Sequence, residues 1–258
     1  MQPRAPYQST QSAAAGADAP LEQIKKLALS RPVEYGALDR LCTGGIAVIA
    51  EIDPTDPAAA DLVSRFEDGR VRAIAFSAGS LTARAERMVH IRTHTHVPLL
   101  CLEPADTSHQ LWQARACGAD LIVLRAATLS DLALFSLVER AASIGMEALV
   151  EVRTGADLVR ALRAQARGVL LRPSADAIPG TPQADLHDLL SMVPDGVVKV
   201  AECGPGGRSD LIACARNGAD AVLLGARLLT CPDPGSVVAD LAAMGAHPAL
   251  SRRGSRTV

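Results

Sequence analysis

Eight short apolar runs recur along the chain, and this recurrence restricts the fold more than any other feature. They are Ile46–Ile52, Val71–Phe76, Pro98–Leu102, Leu121–Leu124, Ala148–Val152, Gly168–Leu171, Val197–Ala201 and Ala221–Leu224. Each is nearly continuous in hydrophobic residues, as a strand covered on both faces must be. Between them lie segments rich in Ala, Leu, Arg and Asp that suit amphipathic helices: Ala58–Phe66, Ser108–Cys117, Asp131–Ile144, Ala156–Gln165, Leu186–Met192 and Arg208–Asn217. Strands alternating with helices build a parallel sheet with helical cover. Eight of them in 258 residues predict a closed (β/α)8 TIM barrel.

A small turn device repeats at Cys117-Gly118-Ala119-Asp120, Ile144-Gly145-Met146-Glu147 and Asn217-Gly218-Ala219-Asp220. Glycine enters the left-handed region without a side-chain penalty, so it ends a helix and turns the chain into the next strand. The device argues for repeated units and carries no chemistry.

Hydrophobic residues make up 48% of the chain and aromatics 2%, so the core must be built from Leu, Val, Ile and Ala. A net charge of −2, with few stacking residues, argues against nucleic acid as a partner. No apolar window is long enough to span a bilayer, and no signal peptide is evident. Cys42, Cys101, Cys117, Cys203, Cys214 and Cys231 form no CxxC pair and read as reduced thiols of a cytoplasmic protein. Residues 1–18 lack periodicity and are expected to be a disordered tail ahead of a single barrel domain over 19–258. A short helix over Leu21–Leu29 is expected to cap one end of the barrel.

Barrel chemistry belongs at the C-terminal ends of the strands. Four carboxylates stand there, Glu51, Asp53, Glu151 and Glu202, with Arg125, Arg153, Arg172 and Arg227 as counter-charges. Such carboxylates repel unless they are protonated, paired or bound to a cation. Two arrangements are open: a pocket with acid, base and anion clamps, or an acidic pocket neutralised by salt bridges. The turn Gly204-Pro205-Gly206-Gly207-Arg208-Ser209-Asp210 opens a helix, and its amides suit an anion, less one lost to Pro205. Gly225-Ala226-Arg227 would complete that site. Ser209 or Asp210 is the expected helix cap. His90, His94 and His96 lack an acidic or thiol ligand at a recognised spacing, so no metal is expected. His109 and His187 are expected on helix surfaces. Cys101 and Cys203 are minor nucleophile candidates, and Phe76 is the best ring for contact with a substrate.

Several motifs taken in order are quite specific. They are Val48-Ile49-Ala50-Glu51-Ile52, Val97-Pro98-Leu99-Leu100-Cys101, Ala114-Arg115-Ala116-Cys117-Gly118-Ala119-Asp120, Leu149-Val150-Glu151-Val152, Ala201-Glu202-Cys203-Gly204 and Gly218-Ala219-Asp220-Ala221-Val222-Leu223-Leu224-Gly225. With them the run from about Ala19 to Leu241 resembles the indole-3-glycerol-phosphate synthase family. The resemblance implies a barrel lyase that closes a pyrrole ring on an anthranilate-derived ribulose phosphate, losing carbon dioxide and water, with no cofactor. It implies Glu51, Glu151 and Glu202 as the family glutamates, Arg172 as the arginine linked to the substrate carboxylate, and Gly204 and Gly225 in the phosphate cradle.

The chain departs from the family pattern at decisive places. Leu102 stands where the catalytic lysine is expected, and Asp53 where a second lysine follows strand one. Leu170 and Leu171 replace an asparagine pair, and Pro54-Thr55-Asp56-Pro57 is all that remains of a long loop. Arg125 replaces a residue that is usually apolar. General acid catalysis contributes roughly 10²–10⁴-fold, so these changes predict loss of normal synthase turnover with a retained anion pocket. The alternative is a repurposed lyase or isomerase acting on a phosphorylated or carboxylated small molecule. A protein partner is a third possibility.

Overall fold

Eight parallel strands pair in sequence order, and β8 returns to pair with β1, closing the barrel. They are β1 (Ala47–Ile52), β2 (Ala73–Phe76), β3 (Leu99–Cys101), β4 (Leu121–Arg125), β5 (Glu147–Val152), β6 (Gly168–Leu171), β7 (Val198–Cys203) and β8 (Ala221–Leu224). The computed structural model describes residues 20–34, 36–77, 81–173, 182–204, 207–225, 231–247 and 250. The expected tail lies outside them, as do Pro205, Gly206, Ala226 and Arg227.

The expected helices form as α3 (Ala59–Asp68), α5 (Ser108–Ala116), α6 (Asp131–Ser143), α7 (Gly155–Arg163), α8 (Pro182–Met192) and α9 (Arg208–Arg216). Three more come from segments not assigned from sequence: α2 (Ala37–Arg40), α4 (Leu81–Arg92) and α10 (Pro234–Gly245). The α10 start carries a legible signature, Asp233 accepting from the Ser236 amide with proline just inside the helix. Gly118, Gly145 and Gly218 adopt φ of 89°, 80° and 85°, the left-handed turns that their motifs require. The acids that follow have structural work as well. Asp120 accepts the Leu99 amide at 3.1 Å and Asp220 the Lys199 amide at 2.9 Å, tying each turn to the start of the preceding strand.

Strand alternation sorts the side chains into two layers. Ile49, Ala75, Leu100, Val123, Leu149, Leu170, Val200 and Leu223 fill the barrel interior. Ala50, Phe76, Cys101, Leu124, Val150, Leu171, Ala201 and Leu224 face the helices. At the N-terminal end, Leu38 and Leu41 join the interior cluster and form its floor. Each contributes about 1.5–3 kcal/mol by burial. The Leu38 amide donates to Glu147 at 2.9 Å, fixing that plug.

The helix α1 (Leu21–Leu29) therefore does not cap the barrel. Its Ile24 and Ala28 pack with Ala116 and Trp112, on the outer surface of α5. Ile24 and Ala28, four residues apart, make a narrow stripe that fits a helix face, and the barrel floor is already filled by Leu38 and Leu41. Arg115 secures the connection, donating to the carbonyls of Ala119, Arg31 and Pro32 and to Asp120 at 3.3 Å. Burial disfavours both charges, lowering the Arg115 pKa and raising that of Asp120. Arg92, 3.1 Å from Asp120, opposes the second shift.

Candidate active site

The inward parity of the strands continues to their C-terminal tips and assembles a mouth. Glu51 from β1, Arg125 from β4, Glu151 from β5 and Glu202 from β7 share the parity of the interior residues, and Arg172 follows β6 in the same phase. Register places Arg125 beside Glu151, Glu151 beside Leu170 and Glu202 beside Leu223.

Glu151 is the centre of charge. Its side chain is 2% exposed and meets three guanidinium groups. Arg153 Nε donates to Oε1 at 2.9 Å, Arg172 Nη1 to Oε2 at 3.3 Å, and Arg125 Nε lies 3.9 Å from Oε1. Arg153 also donates to the Pro173 carbonyl at 3.1 Å, which steadies the cluster from the loop after β6. Arg172 Nε stands 3.6 Å from Glu202 Oε2, too far for a hydrogen bond, and among the described residues this buried donor has no hydrogen-bond partner. Of the two arrangements left open by the sequence, ion pairing of the carboxylates with arginines is formed on β4–β7. One buried carboxylate serves three cations, and Glu202 lies at the edge.

Glu51 sits across the mouth, where its Oε1 accepts from the Ser77 hydroxyl at 3.2 Å. A Cβ on Gly225 would lie 3.6 Å from Glu51 Oε2, so the glycine lets the β8 turn approach that carboxylate. Asp53 has turned to local work: its Oδ1 accepts the Thr55 amide at 2.8 Å and the Thr55 hydroxyl at 2.7 Å. Asp56 does likewise for the Ala58 amide at 2.8 Å. These Asx turns fix the conformation of the short loop after β1.

Leu102 extends β3 into the interior cluster and is 6% exposed. Lys199 gives no substitute ammonium. It lies between Val198 and Val200, both interior, so its own side chain leaves on the helix side of β7. No lysine among the described residues reaches the mouth on the inward face of a strand.

Gly207 starts α9 at φ 58° and ψ −105°, so the expected cap by Ser209 or Asp210 is corrected; both lie inside the helix. Asp210 instead brings its carboxylate to the Gly204 backbone, where an added Cβ would stand 2.6 Å from Oδ2. Three further expectations are corrected. Phe76 is fully buried and packs toward the helices, because its neighbour Ala75 takes the inward position. Cys101 and Cys203 share that outward phase. Burial pushes the Cys101 thiol far up and the Cys203 thiol to about 12, so neither is a nucleophile at neutral pH. His109 and His187 are half-buried rather than on the surface, and His187 Nε2 is buried without a hydrogen-bond partner among the described residues. Among the described residues no group of three His, Cys, Asp or Glu side chains is arranged for a metal ion. No helix of the described residues is long and apolar enough to cross a membrane.

The model of the family described as "Indole-3-glycerol phosphate synthase" matches residues 8–241. The chain belongs to the indole-3-glycerol phosphate synthase family. The synthase of Kineococcus radiotolerans is 40% identical over 221 residues, covering 80% of this chain and 79% of that one. That of Beutenbergia cavernae is 38% identical over 247 residues, with 90% of each chain covered. Among solved structures, 3-hexulose-6-phosphate synthase from Salmonella typhimurium superposes with a TM-score of 0.64 at 16% identity, over 78% of this chain and 100% of that one. That likeness is one of fold alone.

Membership gives the strand-tip geometry its context. Glu51, Glu151, Arg172 and Glu202 are brought together at the mouth, with Gly204 and Gly225 on the neighbouring turns. Gly206, Ala226 and Arg227 lie outside the described residues. Sequence reasoning missed Ser77, the hydroxyl held by Glu51. The signal was its phase, one inward step past Ala75.

Proposed function

We propose that this family member has lost ordinary synthase turnover and keeps an anion-binding pocket at the barrel mouth. The observation that carries the reading is Leu102 at the β3 tip, buried in the interior cluster where the resemblance implies a lysine. An aliphatic side chain holds no transferable proton. A guanidinium group is too weak an acid to hand over a proton at neutral pH, so arginines at the mouth do not replace a lysine as general acid. They do suit oxyanions, which a planar fork of donors binds well. Glu151 has its oxygens committed to three cations, which opposes a role as a mobile base. The short loop of Asp53 and Asp56 leaves little chain to close over a substrate, and water exclusion strengthens catalytic electrostatics. Gly204, Gly207 and Gly225 support retention of an anion site at the β7 and β8 turns.

A second reading is a lyase or isomerase acting on a phosphorylated or carboxylated small molecule. It is favoured by Glu51, a half-buried carboxylate with a hydroxyl partner in Ser77, placed as a base would be.

The test has two arms. Purified protein is incubated with the anthranilate-derived ribulose phosphate, and indole-3-glycerol phosphate is followed by fluorescence. Thermal melts are recorded with inorganic phosphate and with ribose 5-phosphate. No turnover together with stabilisation by phosphate is expected. Turnover at ordinary enzyme rates, or melts indifferent to both anions, would overturn the proposal. A compound that recurs in mass spectra of native preparations and is consumed by the protein would establish the second reading.

A further inference from the structure

The segment ahead of the barrel floor is held differently from the rest of the chain. Of residues 20–34 only Ile24 and Ala28 are buried. With Ala116 they make an apolar cluster separate from both layers of the barrel, and Trp112 packs against it. Leu21, Leu27 and Leu29 stay exposed. Two buried side chains of this size supply little burial energy. Val33 adds a contact at the Gly145 turn, where a Cβ would lie 2.8 Å from its Cγ2. Polar ties come from two arginines. Arg31 Nε donates to the Ala116 carbonyl at 3.1 Å, and Arg115 Nη2 donates to the carbonyls of Arg31 and Pro32. Arg115 is 1% exposed, and its Nε has no hydrogen-bond partner among the described residues. A buried donor left unsatisfied is costly, and this cost opposes the docked state.

The barrel has anchors of its own on either side of this contact. Asp120 holds Arg92 Nη1 at 3.1 Å and the Leu99 amide at 3.1 Å, and neither bond involves the segment. Leu38 and Leu41 fill the floor from inside, and Glu147 fixes the Leu38 amide. Between floor and segment stands Gly36 at φ 73°, a left-handed position that glycine takes without a side-chain clash. The Glu34–Arg40 pair that spans it is partly exposed and adds little. We infer that residues 20–34 are a latch. It releases from α5 as one unit, turning at Gly36 while the barrel stays folded, and Arg115 sets the release. The nine residues of α1 are too few to hold a helix alone, so the helix is lost when the contact opens. Elements with few buried apolar contacts open locally at less cost than the whole fold. Release bares Trp112 and Ala116 on α5, and the latch is what covers them.

The test is native-state hydrogen exchange on the full chain, read by mass spectrometry in urea below the unfolding transition. Peptides of α1 are expected to exchange while those of β1, β3 and β5 stay protected. Trp112 is the only tryptophan of the chain, so its emission reports the same contact independently. It is expected to shift to the red at lower urea than the loss of far-ultraviolet circular dichroism. Arg115→Met is expected to speed exchange over 20–34 at least roughly tenfold. Arg115 also holds the Ala119 carbonyl, so Ala28→Glu, a change on the latch alone, carries the comparison if Arg115→Met does not fold. Ala28→Glu is expected to leave α1 unprotected and Trp112 red-shifted without urea, with the barrel melting as in the parent. Exchange of α1 only together with the strands overturns the inference, as do coincident fluorescence and dichroism midpoints. So does an Ala28→Glu protein whose barrel melt falls along with its α1 protection.

Discussion

Replacing Glu151 by glutamine tests whether one carboxylate organises the mouth. The change keeps shape and removes the charge that faces Arg153, Arg172 and Arg125 at 2.9, 3.3 and 3.9 Å. At an effective dielectric of about 20 these separations correspond to gross attractions of ~6, ~5 and ~4 kcal/mol. The net loss is much smaller. The arginine side chains are 37%, 20% and 36% exposed and recover hydration, and the amide oxygen still accepts one hydrogen bond. Breaking a buried pair costs about 3–5 kcal/mol, and partial exposure brings this to about 2–3 kcal/mol. For a domain of this size that lowers Tm by roughly 5–10 °C. The assay is a reversible thermal melt at pH 7, with Glu202→Gln as control. Glu202 is 33% exposed and meets one guanidinium at 3.6 Å, so its loss is expected to cost under about 1 kcal/mol. A Glu151→Gln melt within about 1 °C of the parent would refute the reasoning. Equal losses in the two variants would refute it also.

Leu102→Lys returns an ammonium to the β3 tip and is expected to raise turnover of the family substrate roughly 10²-fold above the parent background. No rise in the fluorescence assay would mean that the missing proton donor is not what silences the mouth. Gly168→Ala places a Cβ 2.8 Å from Leu149 Cδ2 and 3.0 Å from Leu38 Cδ2, overpacking the barrel floor. A loss of about 1–3 kcal/mol in urea unfolding is expected, and an unchanged midpoint contradicts the packing described. Burial raises the thiols of Cys117 and Cys214 from 9.0 to about 11, and that of Cys203 to about 12. The folded state holds these protons more tightly than the unfolded state, so their contribution is full below pH 9 and is lost as pH rises through 11 and 12. Melts stepped over that interval should fall more steeply for the parent than for a Cys117→Ala, Cys214→Ala variant. Parallel profiles would contradict the assignment.

The barrel was legible because both of its signals are local. Continuous apolar runs bounded the strands to within two residues, and Gly118, Gly145 and Gly218 marked the turns. What failed depended on contacts between distant segments. The four residues of α2 are too few to show a period, yet Leu38 and Leu41 close the floor. The apolar stripe of α1 announced a partner without saying which, and Trp112 on α5 proved to be near it. At the mouth, the charged residues could be named from strand ends, but their pairing could not. That Glu151, rather than Glu51 or Glu202, collects the arginines follows from the β4–β5–β6 register, which places guanidinium groups on both flanking strands. Phe76 and Cys203 were misplaced for a related reason: one residue of phase decides between mouth and outer layer, and the strand ends were read less finely than that.

The departures from the family pattern each acquired a structural role at the rim. Leu102 joins the apolar interior, Asp53 folds into its own turn through Thr55, and Arg125 joins the ion cluster on Glu151. These roles reinforce one another. An ammonium at 102 would be a further cation beside Arg125, where the described residues already hold more guanidinium than carboxylate charge. Without Arg125, Glu151 would keep two arginines and Leu102 would border a less cationic sector. A mouth changed only by decay would lose charged groups and leave their partners exposed. Here a cation stands on β4 and none on β3, and a guanidinium is suited to pairing with anions rather than to handing over protons. An exchange in that direction supports the proposal of a pocket that holds an anion rather than converting it.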